Sequence, residues 1–318
     1  MSKTCVFVSA AANIALVKYW GKKPGYGNQP ATGSLSIGLE DLRTQTTLAV
    51  GEDDSDLIEF DASAATRQRL TSYFDQVRQE FGSSQRFVLK TENNFPTGTG
   101  LASSASGFAA LALAVNELLE LHLSGSELSR LAMRGSGSAA RSVFGGFVEV
   151  IANEDAYARL VMPAEYWPLS IIVAITDESP KATGSTEAML RTASTSPYYQ
   201  SWLDTHGDDM QAARDALLDR DFEKLAEVAE ASCLKMHASV MTSQPSIMYW
   251  QPATVEIMQC VRFIRQRGIG CFFTIDAGSQ VKIICEPDHL ETVSATVGAL
   301  AGVQRLIKTE VGGTPIIS

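Results

Sequence analysis

Cysteine is scarce in this chain of 318 residues: Cys5, Cys233, Cys260, Cys271 and Cys285 are odd in number, widely spaced and contain no C-x-x-C pair. That pattern argues against a disulfide framework or a zinc ribbon, and it reads as small buried hydrophobes in a reducing compartment. Histidine is scarcer still. His122, His206, His237 and His289 show no metal-ligand spacing, which removes zinc chemistry from consideration. Positive charge is in deficit as well, and a net charge of −10 argues against a nucleic-acid partner or an anionic membrane surface. Phosphate substrates stay open, because a site needs only a few local cations. No apolar run reaches the roughly 18 residues of a membrane span, and the stretch Met1 to Val8 has no signal-peptide core, so a cytoplasmic location is expected. Internal repeats and low-complexity tracts are missing too. With 45% hydrophobic and 19% charged residues, what remains is an ordinary globular protein, long enough for one large or two ordinary domains.

The most organised stretch runs from Asn93 to Ala114. Pro96, Gly98 and Gly100 open a loop, Ser103 and Ser104 add hydroxyls, and an Ala/Leu-rich segment of high helix propensity extends to about Leu121. Glycines let a backbone come close to an anion, and the first turn of a helix presents unpaired N–H groups and the positive end of its dipole. The serines could cap the helix, touch a phosphate or hold a magnesium ion; a plain loop and helix cap is the alternative. No Gly-Lys-Ser/Thr closes the loop and no third glycine follows at dinucleotide spacing, so neither of those phosphate motifs applies.

Three further stretches carry candidate chemistry. After a short β-rich run (Thr4 to Ser9), Asn13, Lys18, Tyr19, Trp20, Gly21 and Lys22 crowd together ahead of a Pro/Gly-rich loop; the lysines could face an anionic ligand or lie solvated outside an aromatic-anchored turn. A helix beginning at Ser124, with Glu127 completing a capping box, leads into Arg134-Gly-Ser-Gly-Ser-Ala-Ala-Arg141. Its Ser136, Gly137, Ser138, Ala139, Ala140 and Arg141 form a flexible linker or a second anion cradle, and the apolar Phe144, Phe147 and Val148 suit a linker poorly. Finally, Asp276 sits between two apolar strands, in a hairpin turn or as a working carboxylate, since an aspartate there is costly unless paired.

The order Pro96-x-x-x-Gly100-Leu101-x-Ser103-Ser104-Ala105 resembles the phosphate loop of the GHMP kinase superfamily. Asn13-Ile-Ala-x-x-Lys18-Tyr19-Trp20-Gly21-Lys22 is similar to the signature of its mevalonate diphosphate decarboxylases, and the Arg141 and Asp276-Ala-Gly segments resemble the same branch. The likeness touches five segments across nearly the whole chain. It departs at Ser279-Gln280, where Pro-Asn is usual, at Thr32-Gly33 ahead of Ser34, where Asn-Ser is usual, and at Gly98-Thr99, where Ala-Ala is common.

The resemblance implies an α+β, GHMP-kinase-like two-domain fold of mixed and antiparallel sheets packed with helices, with the site in the interdomain cleft. The expected domains are 1–178 and 179–318, with the last strand packing back toward the first. It implies a homodimer, and ATP-dependent decarboxylation of mevalonate 5-diphosphate to isopentenyl diphosphate, through phosphorylation of the 3-hydroxyl, in isoprenoid biosynthesis. A 3-kinase or a 5-monophosphate decarboxylase is the sibling reading, and a silent nucleotide-binding protein the remoter one. Carried over, Asp276 meets the 3-hydroxyl, Lys18 pairs with Asp276, Arg141 fixes the substrate carboxylate, and Asn13 joins them. Tyr19, Trp20, Gly21, Lys22, Arg67 (chosen over Arg69), Ser136 to Ala140 and Thr186 bind substrate. Pro96, Gly98, Gly100, Leu101, Ser103, Ser104, Lys181 and Ser185 serve ATP and Mg2+, with Ser104 the metal contact. Ser185 or Thr186 also suits the cap of the helix that follows Gly184.

Overall fold

The computed structural model describes residues 3–23, 28–96, 101–179 and 181–318; Gly98 and Gly100 lie outside them. Strand β1 (Cys5–Val17) runs well past its expected end at Ser9. Ala10, Ala11, Ala12 and Asn13 carry little strand propensity, but pairing with the 18-residue β2 (Ser34–Gly51) overrides it. The chain continues through β3 (Leu57–Ile58), α1 (Ala64–Phe81), β4 (Arg86–Asn93), α2 (Ser103–Leu118), α3 (Gly125–Gly135), α4 (Ala139–Ser142), β5 (Phe147–Ile151) and β6 (Tyr157–Met162). Then come β7 (Ser170–Ile175), α5 (Ser185–Thr195), α6 (Tyr199–Asp219), α7 (Phe222–Met241), α8 (Pro252–Gln266), β8 (Cys271–Ile275), β9 (Val281–Cys285), α9 (Leu290–Gly298), β10 (Arg305–Glu310) and β11 (Ile316–Ile317).

These strands make two sheets. The first has the order β11-β1-β2-β4-β3, with β5 and β6 added beside β2; all its pairs are antiparallel except β3 with β4. The second is antiparallel, in the order β10-β7-β9-β8. Helix α2 is buried almost all round, as its uniformly apolar sequence requires, and its alanines let it lie close on the small residues of β1. A core of Phe74, Val77, Phe87 and Phe108 fills the space between α1, α2 and the first sheet. A second, continuous core runs from Leu16 and Ile37 through Ile171 and Val173 to Leu217 and Leu225, joining the two sheets.

The sheet assignments bear on where the chain divides. Strand β7 pairs with β9 and β10, so a division at 178/179 would part it from its own partners. We propose the passage between Met162 and Ser170 as the division. Two residues at the C-terminus, Ile316 and Ile317, cross back to pair with Ser9 and Val8 in the first sheet.

Candidate active site

The site begins where β1 loses register. Shifts between Ala11 and Asn13 and between Ala15 and Val17 re-aim the strand, as bulges do, and free the Ala15 carbonyl to accept hydrogen bonds from Lys18 Nζ (2.9 Å) and Thr274 Oγ1 (3.1 Å). One residue past the strand, the Lys18 amide donates to Ser232 Oγ on α7 at 3.0 Å, which turns its side chain inward. Lys18 is 1% exposed, and its ammonium donates to Asp276 Oδ1 at 2.6 Å. Asp276 follows β8 directly, in the tight turn that joins β8 to β9. Its turn is further tied down by Gln280, whose Oε1 accepts from the Thr176 amide at 2.8 Å and whose Nε2 donates to Asp177 O. Burial works against the Asp276 charge, but Lys18, Lys282 and Arg141 outweigh it and bring the carboxyl down to about 2. The side chain keeps 23% of its surface open to a cavity.

Arg141 approaches that carboxylate from α4. It is buried, donates from Nε to Asn13 Oδ1 (3.0 Å) and from Nη1 to Ser34 Oγ (2.7 Å), and lies 6.0 Å from the centre of the Tyr19 ring. Asn13 in turn donates to Ser142 Oγ (2.7 Å) and Ser138 O (3.1 Å), so strand and helix hold the guanidinium between them. Desolvation draws Arg141 down to about 10, which leaves it charged at neutral pH.

Further cations and hydroxyls line the same cavity, of about 750 Å³. Lys22 donates to Asn28 Oδ1 (2.7 Å) and Thr186 Oγ1 (3.0 Å); burial, helped by the neighbouring Arg69, draws it down to about 8. Arg69 lies over the Phe108 ring at 4.6 Å and donates through Nε (2.9 Å) and Nη2 to the Gly135 carbonyl. The hydroxyls of Ser104, Ser136 and Ser138 form a chain with 3.2 Å steps, and Lys181 donates to Ser185 Oγ (2.7 Å) and Ala277 O (3.1 Å). Buried Tyr19 Oη has no hydrogen-bond partner among the described residues. It rests against Gly137, where a Cβ would stand 2.3 Å from it, so only glycine lets the ring lie there.

Five cations and one unpartnered phenol around a single cavity fit a ligand carrying several phosphates. Among the described residues no cluster of three His, Cys, Asp or Glu could hold a metal ion. A divalent ion would therefore fit there as magnesium held mainly through phosphate oxygens, and Ser103 and Ser104, at the start of α2, are hydroxyls of the lining that could join them.

Two family models cover the chain: the diphosphomevalonate decarboxylase-like N-terminal domain over residues 10–159 and the mevalonate 5-diphosphate decarboxylase C-terminal domain over residues 171–317. The diphosphomevalonate decarboxylase of Candida albicans is 33% identical, over 97% of this chain and 96% of that protein. This chain belongs to the diphosphomevalonate decarboxylase family. A solved complex of the protein called MDDEF with MVAPP, AMPPCP and magnesium is 34% identical and superposes with a TM-score of 0.92 over 99% of each chain. The phosphomevalonate decarboxylase of Haloferax volcanii is 32% identical, over 89% of this chain and 88% of that protein.

Seen as a member of this family, the chain has most of the expected site residues around one cavity. Asn13, Lys18, Tyr19, Trp20, Lys22, Ser103, Ser104, Ser136, Gly137, Ser138, Arg141, Lys181, Ser185, Thr186 and Asp276 all line it. Arg67 does not. Its guanidinium donates to the carbonyls of Ile58, Phe60 and Ala62, which closes the start of α1 onto β3, and it is Arg69 that faces the cavity. At about 100° per residue the two arginines flank the buried stripe of α1 on opposite sides, so spacing alone could not separate them. Leu101 is core, and Ala139 and Ala140 are buried within α4. Pro96 and Gly21 are also absent from the lining; Gly21, at φ +102°, supplies a turn closed against the Tyr199 hydroxyl. Neither Ser185 nor Thr186 caps α5, whose N-cap is Gly184; both hydroxyls turn to lysines instead. Ser103 and Ser104 likewise leave the cap of α2 to Ala102, at φ 56°. Ser34, beside one departure from the usual motif, shares with Asn13 the holding of Arg141.

Proposed function

We propose that this protein decarboxylates mevalonate 5-diphosphate at the expense of ATP, giving isopentenyl diphosphate, ADP, phosphate and CO2. The observation that carries this is the arrangement of Asp276, Lys18 and Arg141 on one cavity that also collects Lys22, Arg69 and hydroxyls. Asp276 meets the 3-hydroxyl and aims its oxygen at the γ-phosphorus. A carboxyl drawn down to about 2 is a weak proton acceptor, so orientation and negative charge are its main contributions; as the oxygen bonds to phosphorus and the bond to ADP breaks, the hydroxyl proton passes to an oxygen of the transferred phosphoryl group, which suits a loose transition state. Lys18 keeps the carboxylate ionised and neutralises charge on the transferred group. The phosphorylated oxygen then leaves with its bonding pair as inorganic phosphate. Arg141 holds the substrate carboxylate so that the carbon–carbon bond to it lies along the departing bond; its electron pair becomes the new double bond, and CO2 is released.

Lys22, Arg69, Tyr19 and Thr186 hold the 5-diphosphate; Lys181 and Ser185, with Ser103, Ser104 and the α2 N-terminus, hold ATP. Ser104, together with the phosphates, would hold magnesium, which would offset repulsion among the phosphate groups. Lys22, half-buried, and Arg69, more exposed, favour the diphosphate over the monophosphate, since together they can meet a second phosphate. Comparing kcat/KM for the 5-diphosphate and the 5-monophosphate tests this: we expect the diphosphate to be preferred by at least about tenfold, since one charge-assisted hydrogen bond to the second phosphate is worth about 1.5–3 kcal/mol. A preference for the monophosphate would overturn the substrate assignment. We place the enzyme in the cytosol as a homodimer; five free cysteines, three of them buried, suit a reducing compartment, and among the described residues no helix is long and apolar enough to cross a membrane.

A further inference from the structure

Behind Asp276, on the side away from the cavity, stands a cation that the reaction as described does not use. Lys282 on β9 is 1% exposed and does not line the cavity, and its ammonium lies 3.7 Å from Asp276 Oδ2. The other carboxylate oxygen belongs to Lys18 at 2.6 Å. Antiparallel pairing sets Lys282 opposite Thr274, two residues before Asp276, so the hairpin that presents the carboxylate also fixes the lysine. Its Nζ donates as well to Gln280 O at 3.4 Å, in the same turn. All five residues of β9 are buried, and its other four are Val281, Ile283, Ile284 and Cys285. An ammonium in such a strand is costly and contributes nothing to packing that an apolar side chain would not.

We propose that Lys282 is a positioning residue for the reaction: it holds the second oxygen of Asp276, fixing the plane of the carboxylate so that the edge open to the cavity is the one that meets the substrate hydroxyl. This rests on the function given above. Among the described residues, the titratable groups facing Lys282 include Asp276 from the hairpin turn, Lys18 from the end of β1, and Cys233 and His237 from α7. Burial draws His237 down to about 3 and pushes the Cys233 thiol up, which leaves both neutral and Asp276 the anion of the set. Burial also draws Lys282 down to about 8, against the pull of Asp276. Its charge is therefore present below that pH and lost above it.

The test measures kcat and kcat/KM for mevalonate 5-diphosphate with the full-length wild type, K282M and K282Q across pH. The ratio of wild type to variant cancels titrating groups remote from Lys282, Lys22 included. We expect a ratio of about tenfold or more near pH 6.5 that shrinks toward one above about pH 9, with KM within about twofold. K282Q, a hydrogen-bond donor without charge, should be as impaired as K282M. A ratio that does not change with pH, or a K282Q equal to wild type, overturns the proposal. A readout independent of turnover is the carboxyl 13C signal of Asp276, assigned with D276N. In the wild type it should shift with a midpoint near pH 8, and in K282M it should not; the same midpoint in both overturns the proposal even where the substrate assignment is at fault. No turnover by the wild type would instead refute the function while leaving that signal to decide on Lys282.

Discussion

Replacing Asp276 with asparagine removes one charge and almost no volume, which makes it the sharpest probe of the site. Lys18 donates to Asp276 Oδ1 at 2.6 Å, a separation worth about 6 kcal/mol of gross attraction at an effective dielectric of 20. Most of that is offset by the desolvation of a lysine that is 1% exposed. The asparagine carbonyl still accepts from Lys18, the Ala15 carbonyl remains a second acceptor, and the 23% exposure of Asp276 admits water. The net loss of stability should be about 1–2 kcal/mol, a fall in Tm of about 2–4 °C. Turnover should suffer far more. The amide cannot present two equivalent negative oxygens to the substrate hydroxyl, and it leaves Lys18, Lys282 and Arg141 without their counter-ion, so kcat should fall by about a thousandfold. The assay couples ADP release to a spectrophotometric readout, with calorimetry of nucleotide and substrate binding on the same preparation. Binding within about threefold of wild type with kcat down a thousandfold is the expected pair, about 4 kcal/mol of transition-state stabilisation lost. A kcat within about tenfold of wild type would refute the placing of Asp276 at the reacting hydroxyl.

Other perturbations read other parts of the molecule. R69M should raise KM for the 5-diphosphate by about tenfold or more, while R67M should leave KM alone and cost about 1 kcal/mol of stability through its lost carbonyl contacts; equal effects on KM would contradict the placing of Arg69 in the cavity. Because burial and Arg69 draw Lys22 down to about 8, its charge is present below that pH and disappears above it, so kcat/KM should decline as pH rises through about 8. K22R should move the decline upward, and an unchanged profile would remove Lys22 from substrate binding. Glu149, fully buried on β5, accepts from Arg159 and from Arg214 on α6 and so ties the first sheet to a helix of the second half. E149A removes both ties but leaves arginines that reach water, so it should cost about 1–2 kcal/mol in denaturant unfolding with little change in kcat; a variant as stable as wild type would deny the pairs that role.

How much of this could be read without coordinates depended on whether the signal was local. The capping box at Ser124 and Glu127, the phosphate-loop helix and the β8–β9 hairpin announce themselves in a few consecutive residues, and the structure contains all three. The length of β1 is a different matter. Alanines at 10–12 have no strand preference of their own, and only pairing with β2 and cover by α2 make them strand. Arg67 and Arg69 stand symmetrically about one buried stripe, and what separates them is Phe108 and the Gly135 carbonyl, far away in sequence. Ser185 and Thr186 read as helix caps because Ser and Thr favour that position; Lys181 and Lys22 claim them instead. Lys282 gave no signal, since a lone lysine in a five-residue apolar strand reads as a solvent-facing position until the fold buries it.

The stoichiometry of one reaction bears most directly on what this protein does. Purified protein supplied with ATP, Mg2+ and mevalonate 5-diphosphate should release ADP and CO2 in equal amounts, with isopentenyl diphosphate as the organic product. ADP released without CO2 would make the protein a 3-kinase and contradict the role given to Arg141, and release of neither would contradict the assignment of this cavity to that substrate.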